Sequence, residues 1–442
     1  MRVAIATLGC KVNQYDSAVI QNRLEEKCLF VPFDEEADCY IINTCTVTDR
    51  ADWEARQLVR RAKRRSPAAK VLITGCYAQV SPHEVVNVPG VDYVVGLNRL
   101  EDLVRLVESP LSSEQKQIAV QEVKRERGVP VLGTRALPGH TRAFLKIQEG
   151  CNYSCTYCII PTARGLSRSV PARQVMEEVR RLADAGYLEI VLTGIHLGGY
   201  GHDLSPRMEL ASLLNEIAES GLLRRIRLSS LDPREVTDRL LDVVAESPVI
   251  CSHLHVCAQA GDDTILREMR RNYDAAYYRD LLLKIRERLP DASLGSDIIV
   301  GFPGETDEQF EKSYEYFRSL PLTYFHVFPY SCRRGTIAAS LSNPVPPDQK
   351  KHRAKRMRDL GFHKKREFAI DFLGRNVRVL IEENVQRRPR YQRGFTMNYL
   401  SVMVRSAHGP GNREVEVRLD GWEDGFLTGT LGATTSAEIQ PV

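Results

Sequence analysis

Three cysteines in the first half of the chain have the spacing of an iron–sulfur site. Cys151, Cys155 and Cys158 form a Cys-x3-Cys-x2-Cys loop directly after an apolar segment at 143–147. Three thiolates at this spacing can hold a [4Fe-4S] cluster and leave its fourth iron without a protein ligand. That iron can bind the amino and carboxylate groups of S-adenosylmethionine (SAM), and one electron passed to the sulfonium releases a carbon radical.

A structural zinc site is the main alternative for this loop. Structural zinc takes four protein ligands, and no fourth Cys or His follows Cys158 at the usual short spacing. Three unrelated core cysteines are a second alternative, but the loop also contains the polar residues Asn152, Ser154 and Thr156. The spacing therefore favours an iron–sulfur cluster.

Three further cysteines each follow a short apolar segment near the start of the chain. They are Cys10 after residues 3–8, Cys45 after 40–43 and Cys76 after 71–74. Helical patterns separate these segments, which predicts β-α-β-α-β with parallel strands. The carboxyl ends of parallel strands face one crevice, and we expect the three cysteines to converge there. From the residues alone, a cluster and inert core cysteines both remain open.

The composition is that of a soluble globular protein with several domains. The chain has 442 residues, of which 43% are hydrophobic and 27% are charged, with a net charge of +4. We find no signal-peptide pattern and no segment with the roughly 18 apolar residues of a membrane helix, so we expect a cytoplasmic protein without a membrane partner. Because disulfides are rare in the cytoplasm, the 11 cysteines favour metal binding or catalysis over disulfides. Five are interpreted as ordinary core residues: Cys28, Cys39, Cys251, Cys257 and Cys332.

The predicted elements divide the chain into three domains of the α/β class and one linker. Residues 1–112 are expected to form an open parallel α/β domain, and 113–136 a linker with one strand at 117–120. Residues 137–368 should form a partial (β/α)6 barrel of the TIM type, with its active site at the carboxyl ends of the strands. Its predicted strands are 143–147, 189–193, 225–229, 253–257, 296–300 and 324–328.

The remaining residues, 369–442, follow a charged helical pattern at 348–371. They contain short alternating strands at 377–381, 400–404, 414–418 and 426–431. This spacing is typical of a small antiparallel β-barrel.

Two motifs resemble those of one enzyme family. The Cys151 loop and the segment at 159–165 (IIPTARG) are similar to the radical-SAM core of the methylthiotransferases, and residues 7–17 (TLGCKVNQYDS) are similar to their amino-terminal signature. The likeness spans essentially the whole chain. It implies that Cys10, Cys45 and Cys76 hold an auxiliary cluster that delivers sulfur, so that the cofactors are two [4Fe-4S] clusters and SAM.

The resemblance also implies where SAM is bound. The expected contacts are Tyr157, Thr193, Gly194, Gln259, Gly301 and Pro303. Thr193 and Gly194 would lie near the SAM amino group, and Gly301 and Pro303 along the ribose and adenine. A strand-to-helix turn that needs Gly and Pro, and simple packing of Tyr157, remain alternatives. Residues 259–263 read QAGDD where the family usually has QSGSD, and 331–337 lack expected prolines.

Three histidines near predicted strands, His196, His253 and His255, are interpreted as core or rim residues. His253 and His255 would point to one face of a strand. No carboxylate or further ligand accompanies them at the close spacing of a metal motif, which argues against a metal site.

The carboxyl-terminal domain resembles the TRAM domain, a small β-barrel that binds RNA. Cationic side chains there alternate with aromatic rings, around the segment 394–399 (GFTMNY). Cations hold phosphates and rings stack on unpaired bases, which predicts an RNA surface. The predicted contacts are Arg387, Arg388, Arg390, Arg393 and Tyr399, with Tyr391 and Phe395 between them. A packing or oligomerisation module remains an alternative.

The resemblance implies a reaction on tRNA. One SAM methylates sulfur at the auxiliary cluster. A second is cleaved to a 5′-deoxyadenosyl radical, which removes hydrogen from C2 of an adenine, and that carbon accepts the methylthio group. The implied partners are the tRNA anticodon stem-loop, a low-potential electron donor of the flavodoxin or ferredoxin type, and a sulfur source.

Lys11 and Val12 bear on the substrate. They are similar to the family branch that acts on N6-threonylcarbamoyladenosine at position 37, whereas the isopentenyladenosine branch has Gln-Met and the ribosomal-protein branch has Pro-Lys. Those two substrates remain alternatives. A protein of another functional class, a non-catalytic RNA-binding protein whose cysteines hold structural zinc, also remains an alternative. A threonylcarbamoyl carboxylate is expected to need an Arg or Lys partner.

Overall fold

The fold has three parts in the order expected from the sequence. The computed structural model describes residues 1–109, 117–123, 129, 141–385, 388, 390–405 and 411–432. Within these ranges lie a parallel α/β sheet, a partial barrel of parallel strands and a small closed β-barrel, which confirms the predicted fold class. Most of the predicted linker at 113–136 lies outside the described residues. None of the described helices is both long and apolar enough to cross a membrane.

The amino-terminal domain is a parallel sheet in the order β2-β1-β3-β4-β5-β6. Its strands are β1 (Arg2–Thr7), β2 (Leu29–Val31), β3 (Cys39–Thr44), β4 (Lys70–Gly75), β5 (Tyr93–Val95) and β6 (Gln117–Ala119). Its helices are α1 (Lys11–Leu24), α2 (Asp49–Arg65), α3 (Cys76–Val80), α4 (Pro82–Val86) and α5 (Leu100–Glu108). The helices pack on both faces of the sheet, and each face has its own apolar core. Because both faces are covered, β3 and β4 are buried throughout.

Three elements of this domain differ from the prediction. The strand predicted inside the linker is β6, which pairs in parallel with β5 and belongs to the sheet. Strand β2, which has only three residues, was missed. Helix α1 begins at Lys11, whereas the helical pattern in the sequence predicts a start at Ser17. Its buried residues lie on most sides of the helix and include Asn13 and Ser17, so no single apolar stripe marks its start.

The central domain has two parallel sheets, β11-β10-β7 and β12-β13-β14-β15, which together form the wall of a partial barrel. Its strands are β7 (Arg142–Lys146), β8 (Gln148–Glu149), β9 (Arg168–Ser169), β10 (Glu189–Thr193), β11 (Arg225–Leu228), β12 (Ser230–Leu231), β13 (His253–Val256), β14 (Ser293–Val300) and β15 (Tyr324–Pro329). Its helices are α6 (Ile160–Arg164), α7 (Ala172–Asp184), α8 (Leu210–Glu219), α9 (Asp238–Glu246), α10 (Asp263–Glu268), α11 (Ala275–Arg288), α12 (Asp307–Ser319) and α13 (Pro347–Ile370). All six predicted strands are present, and the third continues as β12.

The carboxyl-terminal domain is a closed barrel in the order β16-β17-β18-β20-β19. Its strands are β16 (Asn376–Asn384), β17 (Tyr391–Thr396), β18 (Ser401–Arg405), β19 (Arg413–Glu423) and β20 (Phe426–Leu431). Strand β17 was not predicted, because its inward positions include Gln392 and Gly394 and so lack an apolar alternation. The pair β18 and β20 is parallel, whereas an antiparallel barrel was predicted.

Candidate active site

The three cysteines of the predicted radical-SAM loop lie at the carboxyl edge of the barrel. Cys151, Cys155 and Cys158 connect β8 to α6, and each is half-buried and free of a disulfide. The loop begins at Gly150, whose φ is +72° and where a Cβ would lie 2.1 Å from the carbonyl oxygen of Leu166. Only glycine fits this position, and the tight turn directs the loop away from the barrel wall.

Hydrogen-bond donors point at two of these sulfurs. Arg271 Nη1 donates to Cys155 Sγ at 3.2 Å, and the backbone N–H of Tyr153 donates to Cys151 Sγ at 3.4 Å. Such donors stabilise thiolates, the form that binds iron. Burial acts the other way and raises the pKa of Cys151 to about 11 and that of Cys158 to about 12. The metal-free loop therefore carries thiols, which must lose protons when iron binds.

Arg271 is held rigidly beside the loop. Its guanidinium pairs with Asp232, and its Nε donates to the Tyr273 hydroxyl at 3.0 Å. That hydroxyl in turn donates to the backbone carbonyls of Cys257 at 3.0 Å and Ala258 at 2.9 Å. The cation that reaches Cys155 is therefore fixed by the barrel wall.

The three amino-terminal cysteines lie together at the carboxyl edge of the sheet. Cys10 precedes α1 and is exposed, whereas Cys45, after β3, and Cys76, at the start of α3, are 8% and 2% exposed. Burial and, to a smaller extent, the nearby thiols of Cys76 and Cys10 raise the pKa of Cys45 to about 12. The three sulfurs are thus close enough to interact. Gly9 has a φ of +97°, and a Cβ there would lie 2.6 Å from that of Cys45.

A buried arginine connects the two cysteine triads. Arg164 is 1% exposed and bonds Glu149 at 2.8 Å, Asp16 at 2.9 Å and Asn13 at 2.6 Å. It also makes a hydrogen bond to Cys76, which opposes the rise that burial causes in the pKa of that thiol. Asn13 and Asp16 lie on the helix that follows Cys10, and Glu149 lies two residues before Cys151. One guanidinium therefore touches the surroundings of both triads.

A second cation completes this network. Lys146, at the end of β7, bonds Asp16 and Glu149, each at 2.7 Å. Although burial raises the pKa of Glu149, Arg164 and Lys146 lower it to about 2, so the carboxylate is ionised at neutral pH. A cavity of about 490 Å³ opens beside these side chains, between the sheet and the barrel. The network thus joins the amino-terminal domain to the barrel at the site.

Family models match both cysteine-bearing regions. Residues 145–317 match the Radical SAM superfamily, and residues 2–96 match Uncharacterized protein family UPF0004. The chain is 39% identical to the threonylcarbamoyladenosine tRNA methylthiotransferase MtaB of Bacillus subtilis (strain 168), over 94% of this chain and 93% of that protein. It is 40% identical to the MtaB of Aquifex aeolicus (strain VF5), over 91% of this chain and 96% of that protein.

The chain belongs to the radical-SAM methylthiotransferase family. The resemblance seen in the sequence is confirmed, and so is the prediction of an enzyme that uses SAM and [4Fe-4S] clusters. A solved structure with a similar fold is the radical SAM methyltransferase TsrM of Kitasatospora setae, with a TM-score of 0.53 and 17% identity, over 76% of this chain and 77% of that chain. The half-buried, donor-lined Cys151 loop suits the radical-SAM cluster of this family.

Two of the predicted SAM contacts of this methylthiotransferase lie beside the Cys151 loop. Thr193 ends β10 and is buried, and Gly194 follows it. The side chain of Gln148 covers Gly194, where a Cβ would lie 2.9 Å from Gln148 Oε1. The same amide donates to the carbonyl oxygen of Gly150 at 2.7 Å. Gln148 therefore connects the cluster loop to the end of β10, a role that the sequence analysis missed.

The other predicted SAM contacts follow β13 and β14 or lie in the loop itself. Gln259 has a φ of +65° and bonds through its backbone to Asp297 and Ile299. Gly301 and Pro303 are buried, and a Cβ at Gly301 would lie 2.3 Å from the side chain of Lys350 on α13. Close packing against α13 is thus one reason for glycine there. The remaining residue, Tyr157, packs against the barrel core.

The predicted RNA contacts do not form one surface. Arg390 is exposed, Arg393 is half-buried, and Arg388 pairs with Asp424 at 2.6 Å. Arg387 lies outside the described residues. Tyr399 lies at the junction between the small barrel and the central one, beside Arg142 and Arg227 of the central domain.

The ring of Tyr399 is surrounded by side chains of its own chain. Its centroid lies 5.0 Å from the Phe395 ring, 4.7 Å from the His253 ring, and 4.7 Å and 5.6 Å from the guanidinium carbons of Arg227 and Arg142. Since these neighbours occupy the ring, stacking on a base would require the two domains to separate.

Two buried arginines of β11 hold the small barrel in place. Arg225 donates to the carbonyl oxygen of Phe395 at 2.8 Å and pairs with Glu414. Arg227 donates to the carbonyl oxygen of Met397 at 3.1 Å. Segment 394–399, read from the sequence as an RNA surface, therefore carries the contact between domains.

Lys11, directly after Cys10, is half-buried at the same junction. Burial lowers its pKa, the nearby charges of Arg227 and Arg142 lower it further, and that of Tyr399 raises it. Both arginines have carboxylate partners, Glu189 and Glu382. Among the residues that the structure describes, Lys11 forms no salt bridge, although Glu189 is near enough for its charge to raise the pKa of Lys11.

Proposed function

We propose that this enzyme transfers a methylthio group to C2 of N6-threonylcarbamoyladenosine at position 37 of tRNA, in the cytoplasm. Relatives named for that activity are 39% and 40% identical to the chain, while a tRNA-2-methylthio-N(6)-dimethylallyladenosine synthase of Carboxydothermus hydrogenoformans (strain ATCC BAA-161 / DSM 6008 / Z-2901) is 36% identical over 80% of this chain and 82% of that protein. The margin is small, so the choice of substrate rests on a side chain.

That side chain is Lys11. The threonylcarbamoyl group ends in a carboxylate, whereas a dimethylallyl group is entirely apolar. Lys11 follows Cys10 immediately and forms no salt bridge with a carboxylate among the described residues, although the charge of Glu189 reaches it. A buried cation is costly unless an anion pairs with it. The substrate carboxylate would complete this pair while adenine C2 lies beside the auxiliary triad.

Each triad offers three thiols for one cluster. We assign Cys151, Cys155 and Cys158 to the cluster that binds SAM, and Cys10, Cys45 and Cys76 to the auxiliary cluster. When bound, these cofactors supply a radical that removes hydrogen from a carbon and the sulfur that replaces it. We assign SAM binding to Thr193 and Gly194, at the end of β10, and the positioning of cysteine sulfurs in the two triads to Arg271 and Arg164.

The remaining partners follow from this reaction. We assign contacts with the phosphates of the anticodon stem-loop to Arg388 and Arg390 on the carboxyl-terminal barrel, because Arg390 is exposed and Arg388 is only half-buried. A low-potential electron donor must reduce the SAM-binding cluster, and a sulfur source must renew the auxiliary one.

The proposal is tested with Lys11→Gln and Lys11→Arg in the reconstituted enzyme. Losing one charge-assisted hydrogen bond of about 1.5–3 kcal/mol should lower kcat/KM on threonylcarbamoyladenosine tRNA roughly 10- to 150-fold for Lys11→Gln. Lys11→Arg, which keeps the charge, should lose less. Without tRNA, all three proteins should release 5′-deoxyadenosine from SAM equally.

Methylthiolated nucleosides are measured by mass spectrometry with two substrates, tRNA carrying threonylcarbamoyladenosine and tRNA carrying isopentenyladenosine. We expect a methylthiolated product only from tRNA carrying threonylcarbamoyladenosine. Product from isopentenyladenosine alone, or equal kcat/KM for wild type and Lys11→Gln, would overturn the substrate assignment.

A further inference from the structure

A polar cluster inside the central barrel has no part in the reaction proposed above. His255 lies on β13, Cys257 follows the end of that strand, and Asp297 lies on the neighbouring β14. In the register of these strands, His255 is opposite Gly295 and Asp297 is opposite His326 on β15. Cys257 and Asp297 are each two residues further along their strands than the pair His255 and Gly295. The fold thus brings together a carboxylate, a thiol and an imidazole that the sequence keeps apart.

The distances within this cluster are those of metal ligands. His255 Nε2 lies 3.1 Å from Asp297 Oδ1, and Cys257 Sγ lies 3.3 Å from Asp297 Oδ2. One ligand atom from each of the three residues lies within 4.8 Å of the other two. Zinc bonds of about 2.0–2.3 Å at tetrahedral angles separate ligand atoms by roughly 3.3–3.8 Å. Small side-chain adjustments would therefore enclose an ion.

The hydrogen bond at Nδ1 orients the His255 ring so that its Nε2 points at Asp297. Nε2 is buried and faces the Asp297 carboxylate, with Oδ1 at 3.1 Å, so a metal ion between them would take the place of this contact. The other ring nitrogen, Nδ1, bonds the Tyr324 hydroxyl at 3.1 Å, and that hydroxyl also bonds His253 Nε2 at 2.7 Å. If Tyr324 donates to His253, it accepts from Nδ1–H of His255, and the lone pair of His255 is on Nε2. Metal-bound histidines are oriented in this way by a partner on the second nitrogen.

We propose that His255 Nε2, Cys257 Sγ and the Asp297 carboxylate bind one Zn²⁺ ion, separate from the cluster cysteines, in an open site whose fourth ligand is water. Imidazole and thiolate together favour zinc over calcium or magnesium, which prefer oxygen ligands. His326 Nδ1, at 3.3 Å from Asp297 Oδ1, orients the carboxylate. On binding, the Cys257 thiol loses its proton to water and the sulfur takes zinc in its place.

Such an ion would fasten β13 to β14 in the wall of the barrel. From the sequence, Cys257 is interpreted as an ordinary core residue, and His255 as a core or rim residue because no carboxylate accompanies it at close spacing. The parallel register supplies that carboxylate from β14. Gln259, a predicted SAM contact, is two residues beyond Cys257, so the metal would also hold the start of that segment.

The test uses the holoenzyme with both clusters assembled, so that the cluster cysteines are occupied. After excess metal is removed, elemental analysis should find about one zinc per chain in addition to the iron. Cys257→Ala and His255→Ala should lose that zinc and keep the iron. Cys251→Ala, which removes another buried thiol near β13, should keep both and is the matched control.

Cobalt titration gives a second readout. Co²⁺ bound in place of zinc should show the visible absorption of a tetrahedral ion with a thiolate ligand, absent in Cys257→Ala. Tyr324→Phe, which removes the partner of His255 Nδ1, should weaken Co²⁺ binding about 10- to 100-fold. The proposal is wrong if the wild-type holoenzyme holds no zinc, holds iron there instead, or if Cys257→Ala retains zinc.

Discussion

The two cysteine triads are built in opposite ways. Cys151, Cys155 and Cys158 come from one loop and are half-buried at the barrel edge, whereas Cys10, Cys45 and Cys76 come from three separate strand ends, and two of them are buried. A loop can bind a cluster with little help from the rest of the chain. The second triad exists only when three strands pair in register. The first is therefore a local site and the second a product of the fold.

Two arginines, Arg271 and Arg164, show the same contrast between a local site and a site that the fold creates. Arg271 reaches Cys155 and is held within the barrel by Asp232 and Tyr273, so it serves one triad. Arg164 reaches Cys76 from the barrel and bonds Asn13 and Asp16 across the domain boundary. Loss of Arg271 should therefore disturb one cluster, and loss of Arg164 should disturb a cluster and an interface.

The largest expected difference is between Cys155→Ala and Cys45→Ala. Cys155→Ala removes a ligand of the proposed SAM-binding cluster and should abolish formation of 5′-deoxyadenosine. Cys45→Ala should retain that cleavage but form no methylthiolated nucleoside. Both products are measured by mass spectrometry in one reaction. Methylthiolation by Cys45→Ala at the wild-type level would remove the proposed division of labour.

Next in size is the effect of Arg164→Gln on stability. Removing one member of a buried ionic network leaves Asp16 and Glu149 without a main partner and should cost about 3–5 kcal/mol. Denaturant unfolding of the metal-free protein measures the loss, and Arg164→Lys should recover part of it. Arg173→Gln is the control, since that side chain is largely exposed. Equal stability of the Arg164 and Arg173 variants would contradict the bridging role.

A smaller effect is expected on cluster potentials. A hydrogen bond from a cation to sulfur stabilises the more negative, reduced cluster, so Arg271→Ala should lower the potential of the SAM-binding cluster by roughly 60 mV or more. The auxiliary cluster should keep its potential. Redox titration followed by electron paramagnetic resonance separates the two signals. An equal shift in both clusters would show that the arginine acts through the fold.

The smallest contrast is in pH dependence, where the triads should behave alike. Burial raises the pKa of Cys45 to about 12, as it does for Cys158, so each triad contains at least one protonated thiol at neutral pH. A raised thiol pKa means that the ligand form grows as pH rises, and cluster assembly should be faster at pH 9 than at pH 7, by about tenfold per pH unit for each limiting thiol. Iron uptake by each triple cysteine variant measures this. Rates independent of pH would indicate that thiolates already exist in the metal-free chain.

The comparison also explains what could be predicted from the sequence. Local spacing was sufficient for the Cys151 loop, and apolar segments were sufficient to place strands before Cys10, Cys45 and Cys76. Contacts between residues that are distant in the sequence could not be predicted. Arg164 lies inside a motif noticed in the sequence, yet no local pattern reveals that it reaches Asp16 in another domain.

The carboxyl-terminal domain shows most clearly that local patterns do not reveal contacts between domains. The RNA surface expected from alternating arginines and rings stays a prediction, and at the end of that segment Tyr399 packs against Arg227 and Arg142 of the central domain. Cation and ring pairs serve docking between domains as well as binding of bases. In the barrel, His255 and Asp297 meet only through the pairing of β13 with β14.

Iron and sulfide analysis of the reconstituted enzyme tests the central claim most directly, when wild type is compared with two triple variants. Wild type should hold roughly eight irons per chain, and the variant without Cys151, Cys155 and Cys158 should keep about four but cleave no SAM. The variant without Cys10, Cys45 and Cys76 should also keep about four and still cleave SAM. About four irons in wild type, all lost with the Cys151 loop, would contradict the account of two clusters.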